Sequence, residues 1–207
     1  SSGTSNEAAS LVWFSVLKTA NQAVIDEFKA TEKGKNVTFK TSYGASGDQS
    51  RAVLAGLKAD EVHLSLEPDV AKLADAGIVS KDWKAGPNKG VITQSVVVFV
   101  VRQGNPKHLS SWADLVRPGV KVVTPNPGSS GSAKWNLLAA YGQVKATGGT
   151  DADATAFVTK LIGNAAALPG NASDALTTFT GGTGDVLLAY ENEAIIARQG
   201  GAPIDYV

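Results

Sequence analysis

The chain has 207 residues, of which 43% are hydrophobic and 18% charged, so it is long enough for one large domain or two small lobes. Its 19 basic and 19 acidic residues balance, which is unlike the positively charged surface of a nucleic-acid-binding protein. Cysteine is absent, which excludes disulfides, thiol nucleophiles and zinc thiolates, and no apolar run approaches the about 20 residues that cross a bilayer.

The first ten residues, SSGTSNEAAS, are small and polar. Such a composition is typical of flexible linkers, and it predicts an N-terminal tether over residues 1–10. Methionine is absent from the chain, including position 1. We therefore expect a processed or trimmed product from which any signal peptide has been removed.

Apolar periodicity predicts alternating strands and helices after this tether. In the first half of the chain, we expect strands at 11–15, 37–43 and 62–66 and helices at 18–30, 48–57 and 69–76. Ser46 is the expected N-cap of the second of these helices. In the second half, we expect strands at 94–101, 120–123, 185–190 and 204–207 and helices at 112–115, 133–141, 151–162 and 193–198. This alternation predicts an α/β fold with helices on both faces of a sheet.

The segment 124–136, TPNPGSSGSAKWN, joins a predicted strand to a predicted helix, and we call its residues 124–132 the serine loop. Small residues let backbone N–H groups approach a ligand, and the following helix adds the positive end of its dipole. These features are typical of an anion site built from neutral groups. The junctions 44–47 and 170–173 also combine Gly with Ser or Asn before a helical run. Each fits an ordinary capped loop, but in open α/β sheets such loops gather where ligands bind.

The sequence contains little that is typical of a catalytic or metal-binding site. The serine loop lacks the Gly-x-Ser-x-Gly spacing of an acyl-transfer nucleophile and the Gly-Lys-Ser/Thr end of a P-loop. We interpret His63 and His108, the only histidines, as structural residues. Glu191 and Glu193 are interpreted as charges that cap and complement a helix start. We therefore expect no catalytic residues, no metal ligands and no cofactor.

Several segments resemble the periplasmic sulfate- and thiosulfate-binding proteins, which are type II solute-binding proteins of ABC importers. The matching segments are 44–47 (GASG), 82–83 (DW), 101–107 (VRQGNPK), 124–136 and 184–193 (GDVLLAYENE). The similarity runs collinearly from about Val12 to the end of the chain. The serine loop and the Glu-Asn-Glu segment are specific in combination.

The resemblance implies a type II periplasmic-binding-protein-like fold, in which two α/β lobes close on an anion in the cleft between them. It places the first lobe at 11–91 and 191–207 and the second lobe at 92–190. Family members continue beyond the position of Val207, so we expect the first lobe to be incomplete at its C-terminal end. The resemblance also implies a monomer that serves an ABC transporter's permease and ATPase. Its place would be the periplasm or the outer face of the cytoplasmic membrane, with lipid anchoring left open.

The resemblance also implies which groups bind the anion. In the second lobe, Ser130 would donate its hydroxyl. Gly131, Ser132 and Ala172 would donate backbone N–H groups there. In the first lobe, Ser46 would donate its backbone N–H.

Ser15 and Tyr190 are two further candidates, and both depart from the family pattern. Ser15 falls where the family usually carries Asp, although a backbone N–H can donate from either residue. Tyr190 stands where sulfate binders typically have a Trp, and a Tyr hydroxyl donates from a different position. The two hydroxyls are similar to those of molybdate-binding relatives. The predicted function is therefore capture of sulfate or thiosulfate for an ABC transporter, with molybdate or tungstate as the alternative ligand.

Two functions from other classes stay open. Ser130 could be the nucleophile of a hydrolase, although no base is evident, and the fold could serve adhesion or signalling without binding an oxyanion. Within the leading hypothesis, a carboxylate facing the ligand would reject sulfate, and Asp48 and Asp174 lie near the proposed junctions. We expect both carboxylates to complement helix N-termini instead, and we expect Lys134 to be exposed and not essential.

Overall fold

The structure is a computed structural model that describes residues 6–207. The chain divides into two compact units at Val91 and Ile92. Within the described residues, no helix has both the length and the apolar character that a membrane crossing requires.

The first unit is built on a three-stranded parallel sheet with the strand order β2-β1-β3. The strands are β1 (Glu7–Phe14), β2 (Val37–Gly44) and β3 (Glu61–His63). A short 3-10 helix (Ser15–Leu17) follows β1 and leads into α1 (Lys18–Lys29), while α2 (Ser46–Leu54) follows β2 and α3 (Glu67–Asp75) follows β3.

The two faces of this sheet carry separate hydrophobic clusters. Leu11 and Trp13 pack with Ile25 of α1 on one face, whereas Val12 packs with Val53 of α2 and residues of α3 on the other. Successive strand residues point to opposite faces, so β1 contributes to both clusters. Helices therefore cover both faces of this sheet, as the alternating pattern predicts.

The second unit contains a five-stranded mixed sheet with the order β6-β5-β7-β4-β8. Its strands are β4 (Val97–Arg102), β5 (Val122–Val123), β6 (Ala165–Ala167), β7 (Val186–Tyr190) and β8 (Ile204–Tyr206). Its helices are α4 (Trp112–Leu115), α5 (Gly131–Ala146), α6 (Asp151–Gly163), α7 (Ala172–Thr180) and α8 (Glu191–Gln199). Strand β5 is parallel to β6 and β7, and β4 is antiparallel to β7 and β8.

This second sheet also has two buried faces. On one face, alternate residues of β4 and β7 pack with Ala140 of α5 and Leu161 of α6. On the other face, the intervening strand residues pack with Phe179 of α7 and Ala194 of α8. The predicted α/β class with helices on both faces is confirmed.

Residues 191–207 lie in the second unit, and not in the first lobe as predicted. Strand β8 pairs with β4 through Val100 and Tyr206, and the side chain of Ile204 is buried in the core beside Val100. Helix α8 continues directly from β7 and returns β8 to the free edge of β4, so this segment stays with the second sheet through a pairing that is distant in sequence. The predicted assignment of residues 191–207 to the first lobe came only from the family resemblance.

The predicted tether is also shorter than expected, because β1 begins at Glu7. Residues Glu7 to Ser10 pair with Val37 to Lys40 of β2, and this backbone pairing does not depend on their small polar side chains. Residues 1–5 lie outside the described part of the chain. Strand β6 was not predicted, since its sequence is three alanines and alanine is depleted in strands.

Candidate functional site

The carboxyl ends of β5, β6 and β7 lie at the same edge of the second sheet, because these three strands are parallel. The serine loop follows β5, the loop before α7 follows β6, and α8 begins directly after β7. Ser130, Ala172 and Tyr190 therefore come to one edge of one sheet. This arrangement groups five of the seven predicted site residues, with Gly131 and Ser132 as the other two.

Direct hydrogen bonds hold the first two of these loops together. The backbone N–H of Asn126 donates to the carbonyl of Pro169 at 2.7 Å, and the hydroxyl of Ser129 donates to the carbonyl of Gly170 at 2.7 Å. The carbonyl of Asn126 accepts the backbone N–H of Ser130 at 2.8 Å. The serine loop is thus a folded turn fixed to its neighbour.

Ser130 caps α5 as its N-cap residue, and its oxygen accepts the backbone N–H of Ala133 at 3.3 Å. The oxygen acts as an acceptor in this bond, so the hydroxyl hydrogen is available to a ligand. The next two residues, Gly131 and Ser132, form the first turn of α5, where backbone N–H groups lack intrahelical acceptors. Neither N–H donates to another group in the described chain.

The hydroxyl of Ser132 is a further unused group at this position. Ser132 is only 3% exposed, and its Oγ has no hydrogen-bond partner within residues 6–207. A buried hydroxyl without a partner is costly unless a ligand or water satisfies it. The first turn of α5 therefore presents unsatisfied donors from both backbone and side chain.

Asn136 anchors this first part of α5 to the sheet, although the sequence did not identify it. Its side-chain amide donates to Thr124 Oγ1 at 3.0 Å and to the carbonyl of Leu188 at 3.2 Å. Asn136 is fully buried, and these two bonds join α5 to the end of β5 and to the middle of β7. The partners of Asn136 lie 12 and 52 positions away in the sequence, so no local pattern revealed its role.

The N-terminus of α7 has a similar design. Asn171 is the N-cap, and its side-chain oxygen accepts the backbone N–H of Asp174 at 2.9 Å. The Asn171 amide in turn donates to the Asp174 carboxylate at 3.0 Å. Asp174 thus complements the helix start as expected, and the backbone N–H of Ala172 donates to no group of the described chain.

Tyr190 ends β7 and is the N-cap of α8. Its backbone N–H donates to Glu193 Oε1 at 3.1 Å, which confirms the interpretation of Glu193 as a capping residue. Glu193 is 5% exposed, and this burial raises the pKa of its carboxyl group to about 7, while the hydrogen bond from Tyr190 acts in the opposite direction. A carboxyl group that titrates near neutrality therefore lies beside the candidate site.

In the first unit, Ser15 and Ser46 lie beyond the carboxyl ends of the parallel strands β1 and β2. Ser46 is the first residue of α2, so the prediction of Ser46 as N-cap is wrong; Ala45 occupies that position. The extended chain at Ala45 ends one residue earlier than the pattern indicated. Nevertheless, the Ser46 backbone N–H donates to no group of the described chain.

The Ser46 side chain is engaged with two partners. Its hydroxyl donates to Asp69 Oδ2 at 2.7 Å and accepts the backbone N–H of Ser65 at 3.1 Å. Asp69 is a buried carboxylate that the sequence did not identify. By contrast, Asp48 is exposed and forms an ion pair with Arg51 on the surface of α2.

His63 and Lys134 are two further polar residues considered from the sequence, and neither is placed as a catalytic group. His63 lies in β3 against the rings of Trp13 and Phe14, with ring centroids 6.3 and 5.6 Å away, and burial lowers its pKa. Lys134 is exposed, as predicted. Across residues 6–207, no group of three or more His, Asp or Glu side chains is arranged to hold a metal ion.

Residues 14–207 match the family model described as "Bacterial extracellular solute-binding protein". The chain belongs to this family. The sulfate-binding protein of Synechococcus elongatus is 46% identical over 200 residues, which make up 95% of this chain and 57% of that relative. The thiosulfate-binding protein of Pseudomonas aeruginosa is 43% identical over 188 residues, 89% of this chain and 56% of the relative.

The chain is also similar to a solved structure of a sulfate-binding protein. The sulfate-binding protein SubI from Mycobacterium tuberculosis H37Rv is 48% identical and has a TM-score of 0.92, over 97% of this chain and 70% of that chain. The resemblance to sulfate- and thiosulfate-binding proteins and the periplasmic-binding-protein fold are thereby confirmed. The chain spans a little over half the length of the curated relatives it matches.

Proposed function

We propose that this protein captures sulfate or thiosulfate outside the cytoplasm for delivery to an ABC transporter. The observation that carries the proposal is the grouping of donors without acceptors at one edge of the second sheet. The backbone N–H groups of Gly131, Ser132 and Ala172 and the buried hydroxyl of Ser132 all lack partners in the described chain. The names of the similar proteins support an oxyanion with sulfate chemistry.

The chemistry of these donors matches a fully ionised anion. Sulfate carries no proton at neutral pH, so a site that offers only N–H and O–H donors can satisfy all of its oxygens. A protonated phosphate would also need an acceptor in the site. Asp174, the nearest carboxylate in sequence to Ala172, is already bonded to Asn171 and does not supply one.

Direct hydrogen bonds supply more binding energy than helix dipoles in this proposal. A micromolar Kd corresponds to about −8 kcal/mol, whereas a helix N-terminus contributes about 0.3–1 kcal/mol, or about 2 kcal/mol when partly buried. Each hydrogen bond to a charged group contributes about 1.5–3 kcal/mol. The Ser130 hydroxyl together with the N–H groups of Gly131, Ser132 and Ala172 can therefore account for most of the affinity.

The other predicted donors complete the proposal. Tyr190 would contribute from the end of β7, and Ser15 and Ser46 would contribute backbone N–H groups from the first unit. The Ser46 hydroxyl is excluded from this role because Asp69 already accepts its hydrogen. The hydroxyls of Ser15 and Tyr190 keep molybdate as the alternative ligand.

We also propose that the protein binds without catalysis, as a monomer that docks on a permease in the membrane. The oxygen of Ser130 accepts the N–H of Ala133 in a helix cap, an arrangement that stabilises α5 and does not activate a nucleophile. If a generic sulfate or phosphate ester were hydrolysed, and Ser130→Ala abolished the turnover, this part of the proposal would be wrong.

A thermal-shift panel of sulfate, thiosulfate, molybdate, tungstate, phosphate and chloride tests the proposed ligand. Ligands that bind only the native state raise the melting temperature, by about 5–10 °C for a chain of this size at about 100 times Kd. We expect this shift with sulfate and thiosulfate and not with phosphate or chloride. A larger shift with molybdate would favour the alternative ligand, and no shift with any oxyanion would contradict the proposal.

A further inference from the structure

Asp69 is a buried carboxylate that connects two helix starts in the first unit. It is the third residue of α3 and is 1% exposed. Its Oδ2 accepts the hydroxyl of Ser46 at 2.7 Å, and its backbone carbonyl accepts the hydroxyl of Ser50 at 2.7 Å. Both serines belong to α2, so Asp69 fixes the first turn of α2 to α3.

The bond to Asp69 determines what Ser46 can offer to a ligand. The single hydroxyl hydrogen of Ser46 is used by Asp69, and its oxygen accepts the backbone N–H of Ser65 at 3.1 Å. A serine hydroxyl has only one hydrogen to donate. The remaining donor of Ser46 is therefore its backbone N–H, which has no acceptor in the described chain.

The buried charge is held by a small number of groups. The Ser46 hydroxyl donates to Oδ2, and the ammonium group of Lys72, whose side chain is exposed, lies 3.9 Å from Oδ1. Asp69 also lies in the first turn of α3, where a negative charge complements the helix dipole. The Ser46 hydroxyl is therefore the side-chain hydrogen-bond donor that the described chain supplies to this carboxylate, and the same bond ties Ser46 to α3.

We infer that Asp69 is a positioning residue for oxyanion binding, which holds Ser46 so that its backbone N–H is presented to the ligand. The inference rests on the proposed function, since it gives Ser46 a role in sulfate binding. It adds a residue that does not touch the anion but orders a group that does. A charge-assisted hydrogen bond suits this role because it is short and directional.

The inference predicts the opposite sign from simple electrostatics. Removal of a negative charge near an anion site would strengthen sulfate binding through Coulomb attraction alone. Loss of a positioning contact would weaken it, because Ser46 and the first turn of α2 would have to be ordered on binding. The sign of the change in affinity therefore separates the two explanations.

The test compares three variants by calorimetric titration of the purified protein with sodium sulfate. For Asp69→Ala we expect a Kd about tenfold higher, the size of one hydrogen bond to a charged group. Asp69→Asn keeps an acceptor for the Ser46 hydroxyl, and we expect its Kd to stay within about threefold of the parent value. Asp48→Ala is the matched control: it removes an exposed carboxylate from the same helix start and should leave the Kd unchanged.

Ser46→Ala adds a test of the coupling. It keeps the backbone N–H and removes the hydroxyl, so we expect Ser46→Ala with Asp69→Ala to weaken binding no more than either single change. If Asp69→Ala does not fold, as judged by circular dichroism, Ser46→Ala and Asp69→Asn decide the question through the same titration. Equal Kd values for Ser46→Ala and the parent, or tighter binding by Asp69→Ala, would overturn the inference.

Ser130→Ala, measured in the same titration, separates the failure of this inference from the failure of the proposed function. If Ser130→Ala weakens sulfate binding while the Ser46 and Asp69 variants bind like the parent, only the role of Asp69 is wrong. If the parent protein itself shows no heat of sulfate binding, the proposed function is wrong and the inference falls with it.

Discussion

The hydroxyl of Ser129 donates a 2.7 Å hydrogen bond to the backbone carbonyl of Gly170, and so joins the loop after β5 to the loop after β6. These loops lead into α5 and α7, whose first turns carry the proposed donors Gly131 and Ala172. The bond therefore sets the distance between two helix starts that we propose bind the same anion. If both helix starts bind the anion as proposed, we expect little reordering of these loops on binding.

Loss of this bond gives the first prediction. Ser129→Ala should raise the Kd for sulfate about three- to tenfold, because a neutral hydrogen bond contributes about 0.5–1.5 kcal/mol and the loops would become less ordered. Isothermal titration calorimetry measures the change. Ser110→Ala is a suitable control, because Ser110 follows β4, which runs antiparallel to β7 and ends at the opposite edge of the sheet. Equal Kd values for Ser129→Ala and the parent would argue against coupling between the loops.

Glu193 predicts a specific dependence of stability on pH. Its carboxyl group has a pKa of about 7 in the folded protein, above the value of 4.5 for an exposed Glu. The folded state therefore holds the proton more tightly than the unfolded state. The stabilising effect of the protonated group is complete below pH 4.5 and is lost as the pH rises through about 7. At 1.36 kcal/mol per pKa unit, the loss amounts to about 3 kcal/mol.

Urea unfolding of Glu193→Gln between pH 4 and pH 8 measures this effect. The amide can still accept the N–H of Tyr190 but does not ionise, so the variant should match the parent at pH 4 and be more stable at pH 8. Glu191→Gln makes the same charge change two residues earlier, at the first position of α8. Its free energy of unfolding should differ little from that of the parent at both pH values. A constant difference between Glu193→Gln and the parent over this range would show that Glu193 does not titrate as described.

Tyr190 tests the choice of ligand. We expect Tyr190→Phe to weaken sulfate binding less than Ser130→Ala, since the serine loop around Ser130 supplies more of the proposed donors than any other segment. Tyr206→Phe, a tyrosine on β8, controls for the loss of a hydroxyl elsewhere in the unit. Competition titrations with molybdate complete the experiment. A large loss of sulfate affinity in Tyr190→Phe, together with a preference of the parent for molybdate, would favour the alternative ligand.

Much of the fold was readable from the sequence because local patterns and tertiary structure agree. The buried strand β4 and the amphipathic α1 were predicted within a few residues, and the capping role of Glu193 followed from its place at a helix start. The edge strand β6 was missed because its alanines carry no strand signal. Its pairing with β5 is a tertiary effect.

The supporting residues of the site could not be predicted from local sequence. Asp69 contacts Ser46, which lies 23 positions away in the sequence. Asn136 contacts Thr124, which lies 12 positions away. Such long-range hydrogen bonds leave no periodic pattern, whereas the direct donors of the serine loop lie in one recognisable segment. The assignment of residues 191–207 failed for the same reason, since the pairing of β8 with β4 is not local.

Calorimetric titration of the parent protein, Ser130→Ala and Thr150→Ala with sulfate tests the central claim most directly. Ser130 and Thr150 cap α5 and α6 in the same way, by accepting a backbone N–H three residues later, but only Ser130 lies in the proposed site. We predict saturable sulfate binding by the parent and by Thr150→Ala, and binding weaker by about 1–3 kcal/mol for Ser130→Ala. Equal sulfate affinity of all three proteins, or no binding by the parent, would contradict the account.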